Sequence, residues 1–342
     1  MSVGFVYDPI FLEHETGEHP ENPRRMLAAI ALLEESGLLA RLARISARDA
    51  TAEEIALVHD AAYVAAVHQA ARDGGGWVDP DTLITPSSYD VAARAVGGTL
   101  AAVDAVMSGG VRSAFCLVRP PGHHATPVQA MGFCIFNHVA VAARYLRTHH
   151  ALERVTIVDF DVHHGNGTQD VFYADPSVLY VSTHEYPFYP GTGAAREIGT
   201  GEGRGTNINI PLPHGCGDAE YCRAFEEIVV PALHRFRPEL ILVSAGYDAH
   251  FADPMANQQL SVEGYGSLAS MTKAAAERLC GGRIVAALEG GYDLVAMPWS
   301  VRRTIEILNG DLPTPDPLGT VDTPGPSGFE DMLREVKQLH RL

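Results

Sequence analysis

The chain has no obvious cysteine site, no long apolar run and no excess of positive charge, and each absence removes a class of function. Its five cysteines (Cys116, Cys134, Cys216, Cys222, Cys280) are odd in number and include no C-x-x-C pair. This argues against a cysteine zinc site and for a reduced, cytoplasmic protein. No stretch approaches the roughly 18 apolar residues of a spanning helix. The opening MSVGFVYDPIFLEHE lacks a basic region and reaches acidic residues early, so no secretory leader is expected. A net charge of −17 makes the body a poor partner for nucleic acid or an anionic membrane, while remaining compatible with cationic substrates.

What is present is a repeated alternation of strands and helices. Strands are expected at 3–7, 114–118, 155–158, 178–182, 206–211, 240–244 and 284–288. Helices are expected near 22–36, 51–58, 60–72, 89–108, 138–149, 167–173, 218–236, 262–279 and 295–308, with a loop at 73–88. The alternation predicts an α/β fold, a parallel sheet with helices on both faces. A hydrophobic content of 46% is enough for one large domain, expected over 1–310. A proline-rich linker (311–328) and an amphipathic helix with Phe329, Met332, Leu333, Val336 and Leu339 on one side complete the chain. That side suits packing on the domain or contact with a second copy. The glycine-rich 199–205 run precedes a strand instead of joining strand to helix, which disfavours a nucleotide loop.

The densest chemistry lies in VTIVDFDVHHGNG (155–167). A buried β-branched strand runs into Asp159, Asp161, His163 and His164. Buried unpaired, such a cluster is costly, so it is paired or metal-bound. Asp161 and His163 alternate with Phe160 and Val162 and point to one side of an extended backbone. Asp248 follows the apolar strand LILVS and an Ala-Gly turn, and is the best third ligand for a zinc site with an open position. A helix cap is its plainer reading. His123 and His124, after Pro-Pro-Gly, suit proton transfer; a solvated pair is the alternative. Asp159 can orient one of these imidazoles. Tyr292, after Gly290-Gly291, can donate its hydroxyl to a developing oxyanion. These groups follow four different strands at their C-terminal ends, where open α/β sheets bind ligands.

RPPGHHA (119–125), MGFCIFN (131–137), DFDVHHGNGTQ (159–169), FYPGTG (188–193), SAGYDAH (244–250) and LEGGY (288–292) resemble, in order, the motifs of the zinc-dependent histone deacetylase family. Pro-Pro-Gly, Asn166 and HPENPRR favour its class II branch, with bacterial deacetylase-like amidohydrolases and acetylpolyamine amidohydrolases. The resemblance implies the arginase–deacetylase fold, a single domain on a central eight-stranded parallel sheet. It implies one Zn²⁺ on Asp161, His163 and Asp248. His124 would act as general base and then acid, His123 with Asp159 would stay more cationic, Asn166 would partner His124, and Tyr292 would polarise the acyl carbonyl. A substrate tunnel would be formed by Gly132, Phe133, Phe188, Tyr189, Gly290 and Gly291. A structural K⁺ would sit on Asp159, Ser182 and the main-chain carbonyls of Asp161, His163 and Thr183.

Three positions depart from the family pattern. Asn166 replaces the aspartate of class I members, so the partner of His124 is neutral; His138 stands where a second asparagine is common; Tyr189 occupies a place often held by phenylalanine. Gly165 stands where the two-manganese arginase relatives need a further aspartate, which favours a mononuclear site. The expected activity is removal of acetyl or other acyl groups from Nε-acyl-lysine or similar amines. An acetylpolyamine or other small-amide hydrolase is the alternative, and a catalytically silent acyl-lysine binding protein is the reading from another class. Glu18, Glu21, Asp79 and Asp81 are expected at the rim, facing a cationic substrate. His164 is expected to be structural.

Overall fold

The computed structural model describes residues 2–321 and 324–342; positions 322 and 323 of the expected linker lie outside the described residues. Eight parallel strands form one sheet: β1 (Gly4–Val6), β2 (Ala43–Ile45), β5 (Ser113–Cys116), β6 (Val155–Asp159), β7 (Val178–Glu185), β8 (Asn207–Leu212), β9 (Leu240–Ala245) and β10 (Ile284–Leu288). Their order is β2-β1-β5-β10-β9-β6-β7-β8. The central strands are buried along their whole length, as a sheet covered on both faces requires. The sheet order brings together the strands that precede the polar turns. β5, β10, β9 and β6 are adjacent although they are far apart in sequence, so their C-terminal turns meet at one edge.

Two helix layers cover the sheet. α4 (Ser88–Met107) packs with α5 (His138–His149), and α1 (Arg24–Glu35), α10 (Ala296–Asn309) and α9 (Val262–Cys280) pack side by side. Local sequence sets the helix starts. Asn137 accepts from Ala140 N at 2.9 Å and Ser261 from Gly264 N at 3.0 Å, both N-caps. Thr51 and Glu54 form a capping box at α2 (Ala52–Ile55), which is followed by α3 (Ala61–Arg72).

The expected strands and helices are present, with three corrections. The eighth strand, β2, comes from Ala43–Ile45, where an exposed Arg44 breaks any apolar run. The loop at 73–88 contains a small hairpin, β3 (Gly76–Trp77) with β4 (Leu83–Ile84). The helix expected over 218–236 is divided into α7 (Asp218–Ala224), a π segment (Phe225–Val229) and α8 (Val230–Phe236). Pro231 has no N–H for the carbonyl of Glu227, so the helical ladder is interrupted beside the π segment. α6 (Asn166–Phe172) follows the Asp-x-His turn, and α11 (Phe329–His340) buries Phe329, Met332, Leu333 and Val336. No helix of the described residues is long and apolar enough to cross a membrane.

Candidate functional site

The turns after β6 and β9 build the floor. Asp161, His163 and Asp248 are buried and present ligand atoms within 4.8 Å of one another. His163 Nδ1 lies 3.1 Å from Asp161 Oδ1 and 3.2 Å from Asp248 Oδ2. The second contact lacks hydrogen-bond geometry, so Asp248 Oδ2 is a buried oxygen without a hydrogen-bond partner. The other carboxylate oxygens are fixed by the main chain: Val162 N donates to Asp248 Oδ1 at 2.9 Å and Gly290 N to Asp161 Oδ2 at 2.9 Å. Gly246 lies so close that a Cβ there would collide with the Asp161 carboxylate.

Two buried carboxylates crowd one imidazole at this point. Burial works against a charged His163, yet Asp161 and Asp248 push its imidazole up to about 10. Burial likewise would raise Asp161, but His123 and His163 hold it below the usual carboxylate range. Burial, and then the charge of Asp161, raises Asp248. Two carboxylates and one imidazole nitrogen, with one oxygen unpartnered and a cavity above, fit the donor set of a catalytic zinc with an open position.

Above the floor the two histidines diverge. His123 Nδ1 meets Asp159 Oδ2 at 3.1 Å, and Tyr180 donates its hydroxyl to the same oxygen at 3.0 Å. Although burial lowers it, His123 is pushed up to about 10 by Asp161 and Asp159. His124 Nδ1 meets the amide oxygen of Asn166 at 2.8 Å. Burial, then the charges of His123 and His163, holds His124 well below the ordinary imidazole range. The two neighbouring imidazoles are thus shifted in opposite directions.

A cavity of about 180 Å³ opens over this group. Its lining includes His123, His124, His163 and Tyr292, and of the expected tunnel residues Gly132, Phe133, Phe188, Tyr189 and Gly290. Phe188 stacks on His163 with ring centroids 5.5 Å apart, and Tyr189 meets His124 edge-on at 5.1 Å. Phe133 takes φ +67°, fixed by hydrogen bonds from its own N–H to Thr82 Oγ1 (3.1 Å) and from Gly132 N to Asp81 Oδ1 (3.2 Å). The hairpin thereby places Asp81 at the cavity wall. Gly291 is not on that wall; its carbonyl is held from behind by Arg25 Nε at 2.6 Å.

Of the acidic residues expected at the rim, Asp81 alone among the four lines the cavity, and Glu21 is a correction. Glu21 is 1% exposed and forms a buried pair with Arg119, both of its oxygens accepting at 2.8 Å, and a contact to Arg25 at 3.1 Å. Arg25 also donates to the carbonyl of Glu289 at 2.6 Å and stacks over the Tyr292 ring at 4.9 Å. The sequence reading missed this support. Its signal was spacing: Arg25, Ala29 and Leu33 share one buried face of α1. Glu289 was also missed. It accepts from the N–H groups of Gly122 (2.6 Å) and His123 (3.1 Å), tying the β10 turn to the histidine turn. His138 lies behind it, fully buried, with Nε2 3.7 Å from Glu289 Oε2. His164 bonds Thr192 Oγ1 at 2.7 Å and Gln169 Oε1 at 3.2 Å, a structural role. Of the expected K⁺ residues, Asp159 lies opposite Ser182 in the β6–β7 register.

Comparison with known proteins gives the same reading. A histone deacetylase-like amidohydrolase of Pseudomonas aeruginosa is 44% identical over 308 residues, covering 90% of this chain and 80% of that protein. A chloroplastic protein of Arabidopsis thaliana, histone deacetylase 14, is 44% identical over 317 residues, covering 88% of this chain and 75% of its own. The crystal structure of the HDA15 HD domain superposes with a TM-score of 0.91 at 35% identity, covering 99% of this chain and 94% of that one, and its likeness extends to the eight-stranded sheet. Residues 19–308 match the histone deacetylase domain, and with these relatives that match shows that the chain belongs to the histone deacetylase family, hydrolases that remove acyl groups from amines.

Proposed function

We propose that this protein is a zinc-dependent deacetylase that hydrolyses Nε-acetyl-lysine side chains or closely similar N-acyl amines. The observation that carries the reading is the pair of His123, bonded to the Asp159 carboxylate, and His124, bonded to the Asn166 amide, both over the buried Asp161–His163–Asp248 group. Zn²⁺ would be held by Asp161, His163 and Asp248, where it would polarise the acyl carbonyl and make bound water more acidic. His124 Nδ1–H donates to Asn166, which leaves Nε2 with a free lone pair. That nitrogen takes the proton of the attacking water and returns it to the leaving amine. His123, its charge fixed by Asp159, stabilises the negative charge that develops on the acyl oxygen. Burial raises the Tyr292 phenol well above its usual range despite Arg25, so it stays protonated and donates to the same oxygen. Phe133, Phe188 and Tyr189 exclude water and hold the substrate's methylene chain.

Following the family pattern, a structural K⁺ would sit on Asp159, Ser182 and the carbonyls of Asp161, His163 and Thr183. The domain would span 1–310 with α11 docked on it, in a cytoplasmic protein. A second reading, a hydrolase of acetylated polyamines, is favoured by Asp81, whose carboxylate on the cavity wall would meet a second ammonium group. Comparing kcat/KM on acetyl-lysine peptides and acetylputrescine tests both. Faster turnover of the peptides supports the first reading, faster turnover of acetylputrescine the second, and no acetate from either rejects the proposal.

A further inference from the structure

Asp253 is a buried carboxylate, 6% exposed, that has no part in the chemistry above. It lies in the loop after β9. Its Oδ2 accepts the main-chain N–H of Tyr292 at 2.6 Å and that of Asp293 at 3.1 Å. Its Oδ1 accepts from Met255 N at 3.0 Å, and Met255 lines the cavity. One side chain therefore joins two walls of the site, and its own N–H is anchored on the carbonyl of His250 at 2.8 Å.

Within the turn itself Asp293 Oδ1 accepts from Val295 N at 2.8 Å and Ala296 N at 2.7 Å, and Asp253 is the side chain that ties the turn to the loop after β9. Gly291 sits at φ +111°, and Leu294 and Val295 beyond the tyrosine are 42% and 49% exposed. Arg25 secures the carbonyls of Glu289 and Gly291, which sets the chain entering Tyr292. Beyond Gly291 the next two N–H groups, those of Tyr292 and Asp293, both donate to Asp253. The Tyr292 ring is flanked by Phe133, edge-on at 5.7 Å, and by Arg25 over its face at 4.9 Å, while the main-chain bond to Asp253 sets where the side chain leaves the backbone.

We propose that Asp253 is a positioning residue for catalysis: by accepting the N–H groups of Tyr292 and Asp293 it fixes the tyrosine hydroxyl at the acyl oxygen. The inference rests on the reading of Tyr292 as carbonyl donor. A displacement of about 1 Å at such a donor is enough to cost on the order of 100-fold in rate.

A double-mutant cycle on the zinc-loaded protein tests it, with kcat and KM on an acetyl-lysine peptide read at high enzyme concentration. Asp253→Ala is expected to lower kcat roughly 10- to 100-fold with KM within about 3-fold of wild type. In the Tyr292→Phe background the same substitution should cost less than about 3-fold, because no hydroxyl remains to position. Asp253→Asn keeps the shape but gives up one acceptor oxygen. It should show a smaller kcat loss that also vanishes in the Tyr292→Phe background, which keeps the test intact if Asp253→Ala does not fold. Equal losses in both backgrounds, or loss of zinc from Asp253→Asn, would overturn the inference and leave Tyr292's role standing. A Tyr292→Phe protein with wild-type kcat would overturn both.

Discussion

His124 Nδ1 meets the side-chain oxygen of Asn166 at 2.8 Å, a bond to a neutral amide where its neighbour His123 faces a carboxylate. This difference adds to the burial and the charges of His123 and His163 that hold His124 down while Asp161 and Asp159 push His123 up. Asn166 orients His124 with no charge of its own, and although that bond favours the imidazolium, burial and the charges of His123 and His163 keep the base available at neutral pH.

Replacing Asn166 by aspartate puts an anion against His124 and favours its imidazolium. The acid limb of the kcat/KM–pH profile should move to higher pH by about 1–2 units, since the base must be deprotonated to act. A pH profile of Asn166→Asp against wild type reads this directly, and an unmoved acid limb would show that His124 is not the base.

The protein should lose stability in acid in two stages. His14 and His59 are lowered to about 4 by burial, from an ordinary value of 6.5. Their folded-state pKa is depressed, so their contribution is complete above pH 6.5 and is lost as pH falls towards 4. Glu21, held down to about 2 by Arg119 and Arg25 against burial, follows below its ordinary 4.5. Each is worth on the order of 3 kcal/mol when fully lost. Thermal melting followed by circular dichroism should fall between pH 6.5 and 4 and more steeply below; a flat melting temperature down to pH 4 contradicts this.

Glu21→Ala removes the shared partner of two buried guanidinium groups, Arg119 and Arg25. Breaking such a pair is expected to cost about 3–5 kcal/mol by denaturant unfolding. Removing the exposed Glu18, paired with Arg24, should change stability too little to detect. A similar small effect for both would mean that the buried network does not support the fold.

Gly246→Ala drives a methyl group into the Asp161 carboxylate. Zinc affinity, measured by competition with a chelator, should fall at least about 10-fold, with the secondary structure retained. Unchanged affinity would place the metal elsewhere.

The sequence made the floor of the site legible because its residues follow apolar strands at short, regular offsets: Asp161 and His163 after β6, Asp248 after β9, Tyr292 after β10. It could not show that β5, β10, β9 and β6 are neighbours, since that order depends on long crossovers. The supporting layer was harder to see. Glu21 stands in a proline-rich loop and reads as a surface acid, and only the folded chain brings Arg119 to it across 98 residues. Asp81 was read at the rim, but its place depends on a two-residue hairpin strand too short for any periodicity. β2 escaped for the same reason, with a polar residue at the middle of three.

The proposed chemistry requires a single cation, which would be held by Asp161, His163 and Asp248. Its most direct test is zinc content and acetyl-lysine hydrolysis measured on the same preparations of wild type, Asp161→Ala, His163→Ala and Asp248→Ala. The account predicts about one zinc per wild-type chain, loss of zinc and of hydrolysis together in each variant, and recovery of chelated wild type on adding zinc. Full hydrolysis in a preparation free of zinc would contradict it.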